Sequence, residues 1–295
     1  MEKIRASILL NGLAPEGFDA GDAEVSLVTT DSREVCPGCI FVAFPGERFD
    51  GHDFAARALE AGAFCVVLNH PVEGVPADRT VIVPDSAKAM IRMASNYRML
   101  FSPKMIGVTG SDGKTTTTTI LAEFLKEAGY NVYVGGNIGK PLLPDVGGMT
   151  ADDMVVVELS SFQLMTMQTS PHIAVTTNLA PNHLDVHKDY QEYVNAKANI
   201  FTHQTAGDIA VFNADNADTV EQAAKAVGEV RWFSRKQRVD NGVFCENGVI
   251  YEAANGTVTP IMETKDVLLP GVHNIENYMA AFAAVRGMVS YETMR

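Results

Sequence analysis

Apolar runs and their spacing divide the chain into two stretches of alternating strand and helix signals. Val25 to Thr30 and Cys39 to Phe44 read as strands, with Pro37-Gly38 turning between them. After a loop from Pro45 to Gly51, Asp53 to Ala61 has helical spacing, with Phe54, Ala58 and Leu59 on one side, and Gly62 stops it. Phe64 to Leu68 is a short, continuously apolar strand, Val81 to Val83 another, and Ser86 to Leu100 a helix. This alternation predicts a small α/β domain over residues 1–101, with Phe101-Ser102-Pro103 as linker.

A second α/β unit, residues 104–295, opens on the apolar run Met105 to Val108 and the amphipathic stretch Ile120 to Ala128. Asn131 to Val134, Met154 to Glu158, Ile173 to Thr177 and Asp208 to Asn213 read as strands, and Tyr190 to His203, Asn216 to Val227 and Asn274 to Val285 as helices. Continuous apolar strands alternating with helices predict a mostly parallel sheet, whose carboxyl edge faces a ligand crevice. Glu158 and Asn178 are therefore expected on one edge with the turn after Val108. Gly228 to Pro260 differs. It holds Asn-Gly pairs at Asn241, Asn247 and Asn255 between short alternating runs, which predicts a small antiparallel excursion.

The turn after Val108 carries the chemistry. Gly107-Val108-Thr109-Gly110-Ser111-Asp112-Gly113-Lys114-Thr115-Thr116 lies between a strand and a helix, the context of a phosphate-binding loop. Glycines let backbone N–H groups converge on phosphate oxygens, and the helix start adds partial positive charge. Lys114 can reach terminal phosphates and Thr115 can place its hydroxyl on magnesium. The common G-x-x-x-x-G-K-[ST] pattern has glycine where this chain has Val108; Gly110 gives a shorter loop.

The formal net charge of −13 argues against a nucleic-acid or anionic-membrane surface, so a phosphate site must be local. No stretch approaches a membrane span and no signal-peptide layout opens the chain. Four scattered cysteines make no disulfide framework, which points to a reducing cytoplasm. Cys36-Pro37-Gly38-Cys39 is a lone C-x-x-C, better explained by a Pro-Gly turn than by a metal.

Four clusters follow the loop. Gly135-Gly136-Asn137-Ile138-Gly139 could bring Asn137 to a phosphate or substrate oxygen, or merely connect two elements. Glu158, heading Glu158-Leu159-Ser160-Ser161-Phe162-Gln163-Leu164, ends an apolar strand and could hold magnesium; exposed strand-end glutamates are also common. Asn178 to His187 contains His183 and His187 at i, i+4, a metal spacing only if helical, and Pro181 favours a loop. Lys197 lies on a helix, where a lysine is ordinarily solvated.

In order and spacing, residues 110–115, 137, 158–163, 183–187 and 197, with the later His273-Asn274-Ile275-Glu276-Asn277, resemble the central domain of the Mur ligases, ATP-dependent amino-acid ligases of peptidoglycan precursor assembly. Thr30-Asp31-Ser32-Arg33, Pro37-Gly38-Cys39-Ile40-Phe41-Val42-Ala43 and Asp50-Gly51-His52 resemble the UDP-binding domain of members that add the third residue or the terminal dipeptide. The 135–139 and 158–164 segments are more similar to the D-glutamate-adding members and lie nearer the chemistry, so the resemblance implies addition of D-glutamate to UDP-N-acetylmuramoyl-L-alanine.

The resemblance implies that ATP phosphorylates the carboxylate of a UDP-N-acetylmuramoyl acceptor and that an amino acid's amine displaces phosphate. It implies Gly110 to Thr116 on the phosphates, with Lys114 neutralising their charge. Thr115 and Glu158 would share one Mg2+; His183 and a carbamylated Lys197 would serve a second. Asn137, and Ser160 beside Glu158, would face the acceptor, Asn274 and Asn277 the adenine, and Thr30 and Ser32 the uridine end. A cytoplasmic monomer is expected. Family members carry a third, C-terminal domain, and a chain stopping at Arg295 is expected to be a truncated form. A diaminopimelate- or lysine-adding ligase and a nucleotide and UDP-sugar binding module without turnover are the alternatives; the Asp31-Ser32-Arg33 motif argues against folate polyglutamate ligases.

Overall fold

The computed structural model describes residues 3–46, 49–182 and 186–294. They form two compact units, residues 1–102 with 143–149, and residues 103–142 with 150–295.

The first unit begins with β1 (Ile4–Arg5), α1 (Ala6–Leu9) and β2 (Glu24–Val25), β1 pairing antiparallel with β2. β3 (Val28–Thr29), β4 (Ile40–Val42), α2 (Ala55–Glu60), β5 (Cys65–Leu68), β6 (Thr80–Ile82) and α3 (Ser86–Arg98) follow. β3 to β6 make a parallel sheet in sequence order. The run read as one strand from Val25 to Thr30 thus serves two sheets. Cys39, Phe41, Val66 and Leu68 are buried against Ala55 and Ala58 of α2, which is why these strands read as continuous apolar runs. Leu143–Met149 joins this unit although its flanking chain belongs to the second. The reason is apolar: Leu143 and Pro144 line a cavity of about 320 Å³ with Met90, Met93 and Tyr97 of α3.

The second unit contains β7 (Lys104–Thr109), α4 (Lys114–Glu127), β8 (Val132–Gly136), β9 (Met154–Glu158), α5 (Ser161–Leu164), β10 (Ile173–Thr176), α6 (Tyr190–Ala198), β11 (Ile209–Asn213), α7 (Ala217–Ala223), β12 (Glu229–Ser234), β13 (Gly242–Glu246), β14 (Val249–Ala254), β15 (Thr257–Glu263) and α8 (Val272–Val285). The sheet order is β15-β14-β13-β12-β11-β10-β7-β9-β8, parallel from β8 through β13 and antiparallel beyond. Side chains alternate across it. Val175 and Val211 face α4 and α8, while Ala174, Ala210 and Phe212 face Leu164, Ala198 and Phe201. The sheet grows from β7 toward β9 and β8 on one side and toward β10 on the other. The turn after β7 therefore sits at the switch in strand order, where open α/β sheets place their ligand crevice.

Two of the three Asn-Gly pairs act as hairpin turns. Asn247 (φ 50°) and Gly248 (78°), and Asn255 (51°) and Gly256 (75°), have the paired positive φ that a two-residue hairpin requires. Asn241-Gly242 does not, a correction to the excursion read from sequence. It joins β12 to a parallel partner, and Gly242 is needed because a Cβ there would lie 1.8 Å from the Trp232 carbonyl oxygen.

Candidate functional site

The loop between β7 and α4 is shaped by what crowds it. A Cβ on Gly110 (φ 153°) would lie 1.9 Å from Thr177 Oγ1, and one on Gly113 (φ 76°) 2.3 Å from Asn277 Oδ1. Both glycines are thus demanded by close neighbours as well as by backbone angle. The loop is tied to the end of β10. Asn178 Oδ1 accepts the Ser111 N–H at 3.0 Å and the Asp112 N–H at 2.9 Å, and Thr177 Oγ1 donates to the Asp112 carbonyl at 2.6 Å. Ser111 Oγ and Tyr193 Oη lie 2.8 Å apart, tying the loop to α6. No side chain caps α4, so its first-turn N–H groups have no acceptor within the helix and form a ready anion site. Lys114 Nζ rests on the Ser111 carbonyl at 3.2 Å.

Beside this helix start lies a buried carboxylate. Glu158, the last residue of β9, is 2 % exposed. Its Oε2 accepts Thr115 Oγ1 at 2.7 Å and its Oε1 accepts Asn137 Nδ2 at 2.9 Å. The Asn137 N–H also bonds the Glu158 carbonyl at 2.7 Å, allowed by Gly136, whose φ is 95°. Glu158 and Thr115 present hard oxygen donors within hydrogen-bond distance of each other, which fits magnesium held by one or two protein oxygens and otherwise by phosphates and water.

Lys197 is not solvated. It is 3 % exposed, and its Nζ donates to the Gly110 carbonyl at 2.8 Å and to Thr109 Oγ1 at 3.2 Å, 4.9 Å from the centre of the Tyr193 ring. Burial, then the charge of Lys114, pull its ammonium down to about 7, with Glu158 acting in the opposite direction. A lysine neutral near physiological pH is nucleophilic enough to be carbamylated.

The remaining expectations separate. Asn277 reaches the loop: its Oδ1 accepts Thr117 Oγ1 at 3.3 Å and its Nδ2 donates to Asn274 Oδ1 at 3.0 Å, both asparagines being buried at the start of α8. Ser160 is engaged elsewhere, in a capping box with Gln163 that starts α5. His183 falls outside the described residues. His187 precedes α6, buried, with Nε2 2.9 Å from Ser161 Oγ and its ring stacked on Phe162. In the first unit, Thr30 and Ser32 follow the carboxyl end of β3, where the Asp31–Arg33 pair folds the turn. Sequence reasoning placed Asn178 on the right edge but gave it no task, since nothing local says that an asparagine's carbonyl will meet two amides of a loop 66 residues away.

Two family models match the chain: the Mur ligase middle domain over residues 108–285, and the Mur ligase family catalytic domain over residues 24–98. The chain belongs to the Mur ligase family. A UDP-N-acetylmuramoylalanine–D-glutamate ligase of Clostridium acetobutylicum is 50% identical over 276 residues, covering 92% of this chain and 58% of the relative. One from Acetivibrio thermocellus is 50% identical over 192 residues, covering 65% and 41%. The chain thus spans about half the length of these curated relatives. Among solved structures, MurF from Acinetobacter baumannii matches with a TM-score of 0.72 at 22% identity, over 100% of this chain and 67% of that one. MurF from Thermotoga maritima, in complex with ADP, matches with a TM-score of 0.61 at 24% identity, over 90% and 65%. At such identities the likeness is one of fold.

Proposed function

We propose that this Mur ligase chain forms the precursor-binding and ATP-binding parts of a cytoplasmic enzyme that joins D-glutamate to UDP-N-acetylmuramoyl-L-alanine. The observation that carries the reading is the Thr115–Glu158–Asn137 hydrogen-bond chain at the uncapped start of α4. The choice of D-glutamate rests on the named relatives, one of which aligns over 92% of this chain. Such a span takes in the first unit, whose motifs resemble those of later-acting ligases. The MurF likeness, at 22% identity, concerns the fold and does not compete.

In this reading the β- and γ-phosphates of ATP lie on the first-turn N–H groups of α4, and Lys114 leaves the Ser111 carbonyl to neutralise them. Thr115 and Glu158 would hold Mg2+, which supplies further charge neutralisation across the phosphates. The acceptor carboxylate attacks the γ-phosphorus, the bond to ADP breaks, and an acyl phosphate forms. The amine of D-glutamate then attacks the acyl carbon and phosphate leaves. Asn137 turns its amide from Glu158 toward the acceptor, so that the reacting atoms are held in line. Lys197, as carbamate, would offer anionic oxygen to a second Mg2+, and Asn274 and Asn277 would frame the adenine. Thr30 and Ser32 would meet the uridine end.

Phosphate release by the complete gene product tests this. Turnover with UDP-N-acetylmuramoyl-L-alanine and D-glutamate is expected. Turnover only with the dipeptide acceptor plus diaminopimelate or lysine would transfer the assignment to that ligase. ATP binding without turnover on any pair would leave a binding module.

A further inference from the structure

The Cys36-Pro37-Gly38-Cys39 turn has no part in the site above, and its geometry is that of a thiol pair. Gly38 has φ 79° and follows a proline, whose ring holds φ near about −65°, the pairing of a type II turn. The Cys39 N–H closes the turn on the Cys36 carbonyl at 3.1 Å. A turn of this class brings its first and last Cα atoms within about 7 Å, and disulfides bridge Cα atoms about 4.4–6.8 Å apart. The backbone is anchored from outside: Gly38 N–H donates to the Gly62 carbonyl at 2.8 Å, and Pro37 packs on Gly62.

We propose that Cys36 and Cys39 form a reversible disulfide within this turn. Cys36 is half-buried and accessible, while Cys39 is fully buried. The Cys36 thiolate attacks one sulfur of a small-molecule disulfide, forming a mixed disulfide and releasing a thiolate. Cys39 Sγ then attacks Cys36 Sγ, the mixed bond breaks, and the second thiolate leaves. Two protein thiols are oxidised by two electrons, the reagent is reduced to two thiols, and the two protons lost from the cysteines end on them. Burial raises the Cys39 thiol pKa, so Cys39 acts second, where its attack is intramolecular. Cys65, pushed up to about 12 by burial, does not compete as a thiolate. Among the described residues no three histidine, cysteine or acidic side chains group as metal ligands.

The turn lies at the amino ends of the strands, since Cys39 directly precedes β4, whereas Thr30 and Ser32 follow the carboxyl end of β3. Oxidation should therefore leave the turn that carries Thr30 and Ser32 in place.

The test incubates the folded protein with 2-hydroxyethyl disulfide, then counts thiols in denaturant and maps peptides by mass. The expected result is loss of two of the four thiols, with the peptide spanning Cys36 and Cys39 lighter by two hydrogens and restored by dithiothreitol. Cys36→Ser, at a half-buried position that should not disturb folding, should retain its thiols, and Cys65→Ala should still close the bridge. A wild-type product that stops at a mixed disulfide on Cys36, a bridge that includes Cys65, or four unreacted thiols would overturn the proposal.

Discussion

Asn178 Oδ1 sits 2.9 Å from the Asp112 N–H and 3.0 Å from the Ser111 N–H, so one side-chain carbonyl at the end of β10 holds two successive amides of the phosphate loop. The loop's shape is thus set partly from the neighbouring strand. In Asn178→Ala the Ser111 N–H keeps the Asn178 backbone carbonyl at 3.0 Å and the exposed Asp112 N–H turns to water, so the loss is that of net hydrogen bonds, about 0.5–1.5 kcal/mol. ADP affinity should fall several-fold, up to about tenfold, with Asn178→Asp recovering affinity less than loop order, because its charge repels phosphate. Calorimetric titration checks this; an unchanged dissociation constant in Asn178→Ala would remove Asn178 from nucleotide binding.

Gly113→Ala places a methyl 2.3 Å from Asn277 Oδ1 at a φ of 76°. Strain of about 1–2 kcal/mol adds to the displacement of Asn277. The melting temperature should fall by several degrees and ADP binding should weaken further than that loss of stability explains. Thermal unfolding with and without ADP separates the two effects.

Glu158→Gln preserves the side chain's shape and removes its charge. Magnesium should then add little to ADP affinity, a loss of about tenfold or more in the Mg2+-dependent part, while binding without the metal is nearly unchanged. Titrations with and without Mg2+ measure it, and a full Mg2+ effect in the variant would move the metal elsewhere.

Lys197 predicts a pH dependence of stability. Its folded-state pKa, near 7, lies below the ordinary 10.5. Across that interval the unfolded chain binds a proton that the folded chain has shed, so stability from this group rises with pH and is lost as pH falls toward 7. In Lys197→Met this slope should disappear. Denaturant unfolding at several pH values in both proteins decides the matter; equal slopes would mean that Lys197 is not buried as a base.

Gly242→Ala tests the fold alone. The added Cβ would meet the Trp232 carbonyl at 1.8 Å, and β12 and β13 must part to admit it. A loss of roughly 3 kcal/mol or more is expected by denaturant unfolding, without a specific change in nucleotide binding.

Local pattern was enough for the two α/β units, because parallel strands buried on both faces must be continuously apolar and their helices must keep one apolar side. It also located the phosphate loop, since strand, glycine turn and helix are adjacent in the chain. Asn247-Gly248 and Asn255-Gly256 announced their hairpins because only such residues accept paired positive φ. The parallel-sheet pattern also put Glu158 and Asn178 on the loop's edge, but which atoms of these distant segments meet lay beyond the sequence. Asn241-Gly242 carries the same dipeptide, yet its use was decided by a close approach to Trp232. The capping box of Ser160 with Gln163 is another contact that the fold displays. Lys197 reads as an ordinary surface cation until burial beneath the loop lowers its charge. A chain specifies its own torsions and periodicity locally, whereas burial, shared hydrogen bonds and shifted charge belong to atoms that only folding brings together.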